Sequence, residues 1–282
     1  MIRVHLWGCL AVAVVGLVQG GCSLALQTDE QQCEVDADCA GRGQDFAGTV
    51  CVARVCQEAA DSAWSCVGRV TAPTEADPEF RSTVRVSDLL TGQPPAGATI
   101  RLCQKFDPTC SVPRLDIPVP ADGIVTTTVP ATFTGFYLVE SPLEQSALLF
   151  LDTKGPTDVA SITLLTPAAS SALIASIHTT QVPDTGSVSL SMFDCNLKRA
   201  AGVHFSIDTT EPTTSYYTLA GTLSPTATAT DPSGGAGFVN LPQGSVTITA
   251  TLESTGQVVG RVATLIRPNA ITYQTMRPTP LD

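Results

Sequence analysis

Two stretches of this chain, about a hundred residues apart, repeat one pattern: turn, strand, proline, glycine, strand. The later one is "SGGAGFVNLPQGSVTITATLESTGQVVG" (Ser233–Gly260), and the earlier is "DGIVTTTVPATFTGFYLVE" (Asp122–Glu140). Within "GSVTITATLES", Val246, Ile248, Ala250 and Leu252 share one face, while Thr247, Thr249, Thr251 and Glu253 share the other. A period of two with apolar and polar sides demands a strand with one buried face; a helix would scatter those residues around its axis. "STGQ" then turns the chain back into "VVGRVATLI", a hairpin signal.

The same texture recurs from residue 66 onward. "STVRVSDLL", "ATIRLC", "GIVTTTV", "GFYLVE", "AGVHFSI" and "ITYQTM" read as further short strands between turns, the pattern of a β-sandwich. One segment departs from it. "TPAASSALIASIHTT" offers Thr166 as N-cap and Pro167 at the first helical position, predicting one short helix. "TGQPPAGATIRLC" (Thr91–Cys103) also matches "LKRAAGVHFSID" (Leu197–Asp208), so the repeating unit is a domain and not a solenoid turn. The expected fold is mainly β: two tandem antiparallel sandwiches, 66–160 and 180–282, joined by a linker, 161–179, that carries the helix.

This order of elements resembles the bacterial carboxypeptidase regulatory-like domain, a transthyretin-like (prealbumin-like) sandwich. Thr91-Gly92-Gln93-Pro94, Ala96-Gly97-Ala98, Asp122-Gly123 and Val129-Pro130 carry the likeness in the first copy. Ala201-Gly202-Val203, Gly237-Phe238, Leu241-Pro242 and Gly244 carry it in the second. The first copy departs from the pattern in moving the glycine after the proline to Gly135. The resemblance implies a fold and an extracytoplasmic accessory role, not an enzymatic activity.

The chain starts with "MIRVHLWGCLAVAVVGLVQGGCS", one firm positive charge at Arg3 followed by an apolar run from Leu6 to Val18. That run is short of the roughly 20 residues a spanning helix needs and has the layout of an export signal, expected over 1–21. Gly20-Gly21-Cys22 resembles a bacterial lipoprotein signal, with Gln19 standing where that signal usually carries leucine. The resemblance implies lipidation of Cys22, a tether over 22–31 and a membrane partner through the lipid. Cleavage elsewhere would leave Cys22 as one more thiol.

Residues 32–58 hold Cys33, Cys39, Cys51 and Cys56 and little that would form a core. An even count in an exported chain favours two disulfides, whose connectivity the spacing leaves open. Cys33 to Cys39 is too wide for one half of a zinc site, and the alternating Glu34, Asp36 and Asp38 lack the ligand number and glycine turn of a calcium loop. The stretch resembles short cysteine-rich modules that follow the anchor in many bacterial lipoproteins. After a linker, 59–65, come Cys66, Cys103, Cys110 and Cys195. Cys103 and Cys110 flank a turn-forming Asp107-Pro108 and are expected to bridge. Cys66, read as opening the first strand, is then left for Cys195, unless one of them reaches the cysteine-rich module or stays free.

Loss of 1–21 would leave 26 acidic and 14 basic residues, a net charge of −12, with lysine only at 105, 154 and 198. Such a surface repels phosphate backbones, which excludes charge-driven binding to nucleic acid or anionic lipid. The signal carries His5 away, leaving His178 and His204, and no G-x-S-x-G, H-E-x-x-H or Walker motif accompanies them. "DPSGGAGF" lacks the lysine and the helix of a phosphate loop, and Asp194 beside Cys195 reads as a turn residue. Trp64 lies in the linker, and Tyr216-Tyr217 sends one ring to each side of a strand, so the flat aromatic platform of a sugar-binding sandwich is missing from the pattern. No catalytic residue, metal site or cofactor is expected. The expected function is that of a non-enzymatic, lipid-anchored structural or interaction protein of the cell envelope, as an outer-membrane lipoprotein facing the periplasm or the surface. The alternative is a carbohydrate- or peptide-binding module that serves a separate enzyme.

Overall fold

The computed structural model describes residues 32–42, 49–52, 54–58, 63–67, 79–105, 107–130, 133–151 and 160–278. They fall into two compact units, 1–62 and 63–282.

In the first unit a five-residue helix α1 (Asp36–Ala40) precedes a hairpin of β1 (Thr49–Val52) and β2 (Val55–Glu58). Arg54, at φ 68°, provides the left-handed turn residue between them. The Asp38 carboxylate accepts from the Glu34 and Val35 N–H groups, and those backbone bonds lower its pKa. Cys33, Cys39 and Cys56 are buried together, forming a core made of sulfur where the sequence has almost no aliphatic side chains.

The second unit holds the strands β3 (Phe80–Asp88), β4 (Thr99–Gln104), β5 (Leu115–Pro118), β6 (Ile124–Val129), β7 (Gly135–Glu140), β8 (Ser146–Phe150) and β9 (Ala160–Leu164). Helix α2 (Pro167–Ser176) follows. The remaining strands are β10 (Gly186–Met192), β11 (Val203–Ile207), β12 (Thr214–Leu219), β13 (Thr222–Ser224), β14 (Gly235–Leu241), β15 (Gly244–Leu252), β16 (Val258–Ile266) and β17 (Ala270–Met276). The fold is mainly β, with the sandwich layering that the alternating sequence predicts.

The repeated pattern in the sequence is a repeated strand pairing. In the first repeat β3 pairs antiparallel with β6 and parallel with β9, while β4, β7 and β8 form an antiparallel run. In the second, β10 pairs antiparallel with β14 and parallel with β17, while β11, β15 and β16 form the matching run. The long variable segments add strands of their own. β5 extends the first repeat beside β4, and the β12–β13 hairpin extends the second beside β14. Pro118 sits on β5, a sheet edge, where its missing N–H breaks no ladder.

Two features differ from a pair of antiparallel sandwiches. Three pairings run parallel: β3 with β9, β10 with β17, and β17 with β8. Through the last of these the repeats fuse into a nine-stranded sheet, in the order β13-β12-β14-β10-β17-β8-β7-β4-β5. The three-stranded sheet β6-β3-β9 packs on one face of it over a core that includes Val84, Ile100, Tyr137 and Leu149. The sheet β11-β15-β16 packs on the other, where Leu190, Phe205, Phe238 and Ile248 meet. Because β7 and β8 lie inside the fused sheet, neighbouring residues are buried on both of their faces. Tyr137 and Leu149 join the first core; Phe136, Leu138, Leu148 and Phe150 join a smaller cluster on the reverse side. Uninterrupted runs such as "GFYLV" and "ALLF" are what such a strand requires.

Cys66 lies in a turn, 63–67, rather than in the first strand; the Val67 N–H donates to the Trp64 carbonyl at 3.0 Å. Trp64, expected in a linker, packs with Val67 against the second core.

A shared sheet ties both cores to one strand, β17. Residues 63–282 should therefore unfold in one transition, and Ile248→Ala, at a fully buried position, should lower stability by about 2–5 kcal/mol. Urea denaturation followed at one probe in each core checks this: coincident midpoints are expected, and separate midpoints would show that β17 does not couple the repeats.

Candidate functional site

All eight cysteines beyond Cys22 are paired. Disulfides join Cys33 to Cys51, Cys39 to Cys56, Cys66 to Cys195 and Cys103 to Cys110. The sulfurs of Cys33, Cys39 and Cys51 lie within 4.8 Å of one another, a spacing that would suit a metal ion. Each is bonded as a disulfide instead, and so offers no thiolate. Cys22, the residue expected to carry lipid, lies outside the described residues.

Cys66–Cys195 fastens the 63–67 turn to the loop after β10. Around it the Cys195 N–H donates to the Ala63 carbonyl at 2.7 Å, and the Cys66 N–H to Cys195 Sγ at 3.0 Å. The neighbouring Asp194 is a turn residue, accepting from the Asn196 and Lys198 N–H groups. The Cys103–Cys110 loop is pinned from two sides. Asp107 accepts from Val112 N–H, Thr109 Oγ1 and Ser111 Oγ, and these bonds, the Val112 amide first, hold its carboxyl at about 2. Arg267, from the second repeat, donates to the Pro108 carbonyl and stacks on Phe136 at 5.8 Å.

Among the described residues the two histidines, His178 and His204, do not converge on a nucleophile. His178 is exposed, just beyond the C-terminus of α2, in a left-handed conformation at φ 59°. His204 is exposed on β11, opposite in direction to its buried neighbours Val203 and Phe205. Its Nδ1 lies 3.0 Å from the Thr228 carbonyl, which can only accept, so that contact places the ring proton on Nδ1. The Tyr217 hydroxyl, 3.3 Å away, already accepts the Phe205 N–H, and burial raises its pKa. "DPSG" is a turn that leads into β14: Asp231 accepts from the Ser233 N–H, and Gly234, at φ 65°, has the Met192 carbonyl where a Cβ would lie.

Among the described residues one concavity is not revealed by the sequence pattern. A cleft of about 240 Å³ lies between α2 and the face of the nine-stranded sheet opposite the second core. Helix α2 starts where the sequence places it: Thr166 Oγ1 accepts from the Ala169 N–H at 3.2 Å, and Pro167 opens the first turn. Its contact with the sheet is slight, because Ser170 and Ile174 are its buried residues, with Ile177 following at the C-cap. Ile174 and Ile177 rest on Val239 and Tyr216, and the small Ser170 leaves open the space beside them.

The cleft floor carries the hydroxyls of Ser187, Ser189 and Thr218 and the phenols Tyr216 and Tyr273. Tyr216 pairs with the Ser189 hydroxyl, and burial pushes its pKa up to about 12. The ring crosses Gly237, where a Cβ would collide with the phenol and with the Val188 carbonyl. Tyr273 donates to the Thr163 carbonyl at 2.5 Å; burial, and then the neighbouring Tyr216, raise its pKa. Both phenols are therefore neutral, and no acid, lysine, arginine or histidine lines the cleft. Tyr216-Tyr217 does send one ring to each side of β12, as the alternation predicts, but the outer face it reaches lies under α2, and Tyr216 is half-buried there.

No known protein family and no curated protein matches the chain. Among solved structures, the TIE protein of Bacillus anthracis aligns at 15% identity over 72% of this chain and 35% of its own, with a TM-score of 0.22. This chain thus spans about a third of that protein. The shaft pilin SpaA of Lactobacillus rhamnosus GG aligns at 12% identity over 72% of this chain and 99% of its own, TM-score 0.23. The minor pilin GBS52 of Streptococcus agalactiae aligns at 15% identity over 72% and 98%, TM-score 0.23. Scores this low do not establish a shared overall arrangement.

Two measurements check the fastenings. Replacing Cys66 and Cys195 by serine should cost about 2–5 kcal/mol, because the bond closes a loop of 129 residues that the unfolded chain would otherwise explore. For Asp107, the folded pKa lies below the unfolded value, so its contribution is complete above pH ~4 and disappears as pH falls through about 2. The Val112 amide resonance should shift across that window in the native chain and stay flat in Asp107→Asn.

Proposed function

We propose that this chain is a non-enzymatic structural or interaction protein of the bacterial cell envelope, held at a membrane by lipid on Cys22. In this reading the cysteine-rich module is a stalk, and the two sandwiches, which resemble carboxypeptidase regulatory-like domains, are the projecting part. The observation that carries it is the set of four disulfides, since such bonds persist in extracytoplasmic compartments and small loop-rich modules depend on them. The lipoprotein-like leader supports the anchor. Among the described residues no helix is long and apolar enough to cross a membrane. The cleft beneath α2 favours a second reading, a binding module that delivers a separate enzyme to a peptide or glycan.

The anchor is tested by intact mass of the protein from native membranes, with and without globomycin. The expected product starts at a triacylated Cys22 and accumulates as precursor under the drug. A mature chain with a free amine at another residue would overturn it. Cys22→Ala should move the protein from the membrane to the soluble fraction.

A further inference from the structure

The cleft combines two surfaces of different chemistry. Its roof and rim are aliphatic, from Leu173, Ile174 and Ile177, with Leu173 and Leu89 exposed at the mouth. Its floor offers the Ser187 and Thr218 hydroxyls, each able to donate or accept, beside two phenol rings, one of which already engages Ser189. A charged guest would lose its water shell and meet no counter-charge. A purely aliphatic guest would give the Ser187 and Thr218 hydroxyls no partner. An aromatic guest gains edge and face contacts with Tyr216 and Tyr273. The volume, about 240 Å³, exceeds the roughly 150 Å³ that admits benzene to an engineered apolar cavity and falls short of the ~300 Å³ at which drug-sized sites begin.

We propose that this cleft is a binding site for one neutral aromatic ring that carries a single hydrogen-bonding atom, the size of indole or a substituted phenol. The guest enters past Leu89 and Leu173, lies under α2 and directs its N–H or O–H to the hydroxyls of β10 and β12. The ring can come free or as a side chain of a peptide. The site is independent of the anchor proposed above.

The Cys22→Ser full chain, exported so that its disulfides form, is titrated with indole and p-cresol and with the charged analogues benzoate and benzylammonium. Saturation-transfer NMR and thermal melting are the readouts. Indole and p-cresol should bind with Kd on the order of 0.1–1 mM, at least tenfold tighter than either charged analogue, and should shift the methyl resonances of Ile174 and Ile271. Ser170→Leu, which fills the cleft from the helix side, should weaken indole binding at least tenfold. Should that variant not fold, the charge discrimination and the methyl shifts in the unsubstituted cleft decide the matter. N-acetyltryptophanamide distinguishes the sources: tighter binding than indole identifies a peptide side chain, and weaker or equal binding a free ring. No binding by 10 mM, equal binding of the charged analogues, or shifts located elsewhere would overturn the proposal.

Discussion

Strand β17 bonds in parallel to β10 on one side and to β8 on the other, and the architecture of residues 63–282 follows from that double pairing. It reaches its place through Arg267-Pro268-Asn269, a turn in which Asn269 takes φ 54° and donates its N–H to the Thr185 carbonyl at 2.9 Å. Its alternation then assigns residues to opposite sides of the sheet. Ala270, Thr272 and Met276 are buried on one face, while Ile271 and Tyr273 reach the cleft on the other. One strand of seven residues thus closes the second repeat, joins it to the first and provides part of the floor of the cleft.

The join is between strands that are not equivalent. Within the duplicated plan β17 corresponds to β9, and β8 corresponds to β16. The repeats therefore meet head to tail and not about a twofold axis. A head-to-tail junction places the two three-stranded sheets on opposite faces of the shared sheet. The outer face of the second repeat is left without a covering sheet, and α2, of ten residues, has to cover it. Ten residues of helix extend about 15 Å, and with Ser170 at the contact they do not fill the gap. The cleft is a geometric consequence of the duplication and of that small residue.

Much of this was legible because it is local. The alternation of Val246, Ile248, Ala250 and Leu252 depends on neighbours two residues apart, and all four are buried. Thr166 and Pro167 announce a helix start by their own backbone chemistry. What escaped the sequence is what distant segments decide together. No pattern within "ITYQTM" says that its partners run parallel, or that one of them belongs to the other repeat. Trp64 and Cys66 read as linker and strand because their contacts lie about 130 residues away, at Cys195. Two signals were present but ambiguous. The unbroken apolar runs in β7 and β8 indicate burial on both faces, yet a short apolar run has several readings. The outer face of β10 carries Ser187 and Ser189 where β15 carries threonines, and small residues there make room for a helix that the strand itself cannot identify.

The acidity of the chain has a use that involves no ligand. Asp88 accepts from the Leu90 and Thr91 N–H groups, Asp122 from Ile124, Asp194 from Asn196 and Lys198, and Asp231 from Ala220 and Ser233. Asp107 does the same inside its disulfide loop, and Asp208 accepts from Thr247. A strand-rich fold ends in many tight turns whose N–H groups have no ladder partner, and an ionised carboxylate satisfies two of them at once. Where hydrogen bonds lower the pKa, from backbone N–H groups first at Asp88, Asp107 and Asp208 and from the Ser233 side chain first at Asp231, the ionised form is the one the turn needs. These six carboxylates are thus distributed one to a turn, where each holds a loop in place.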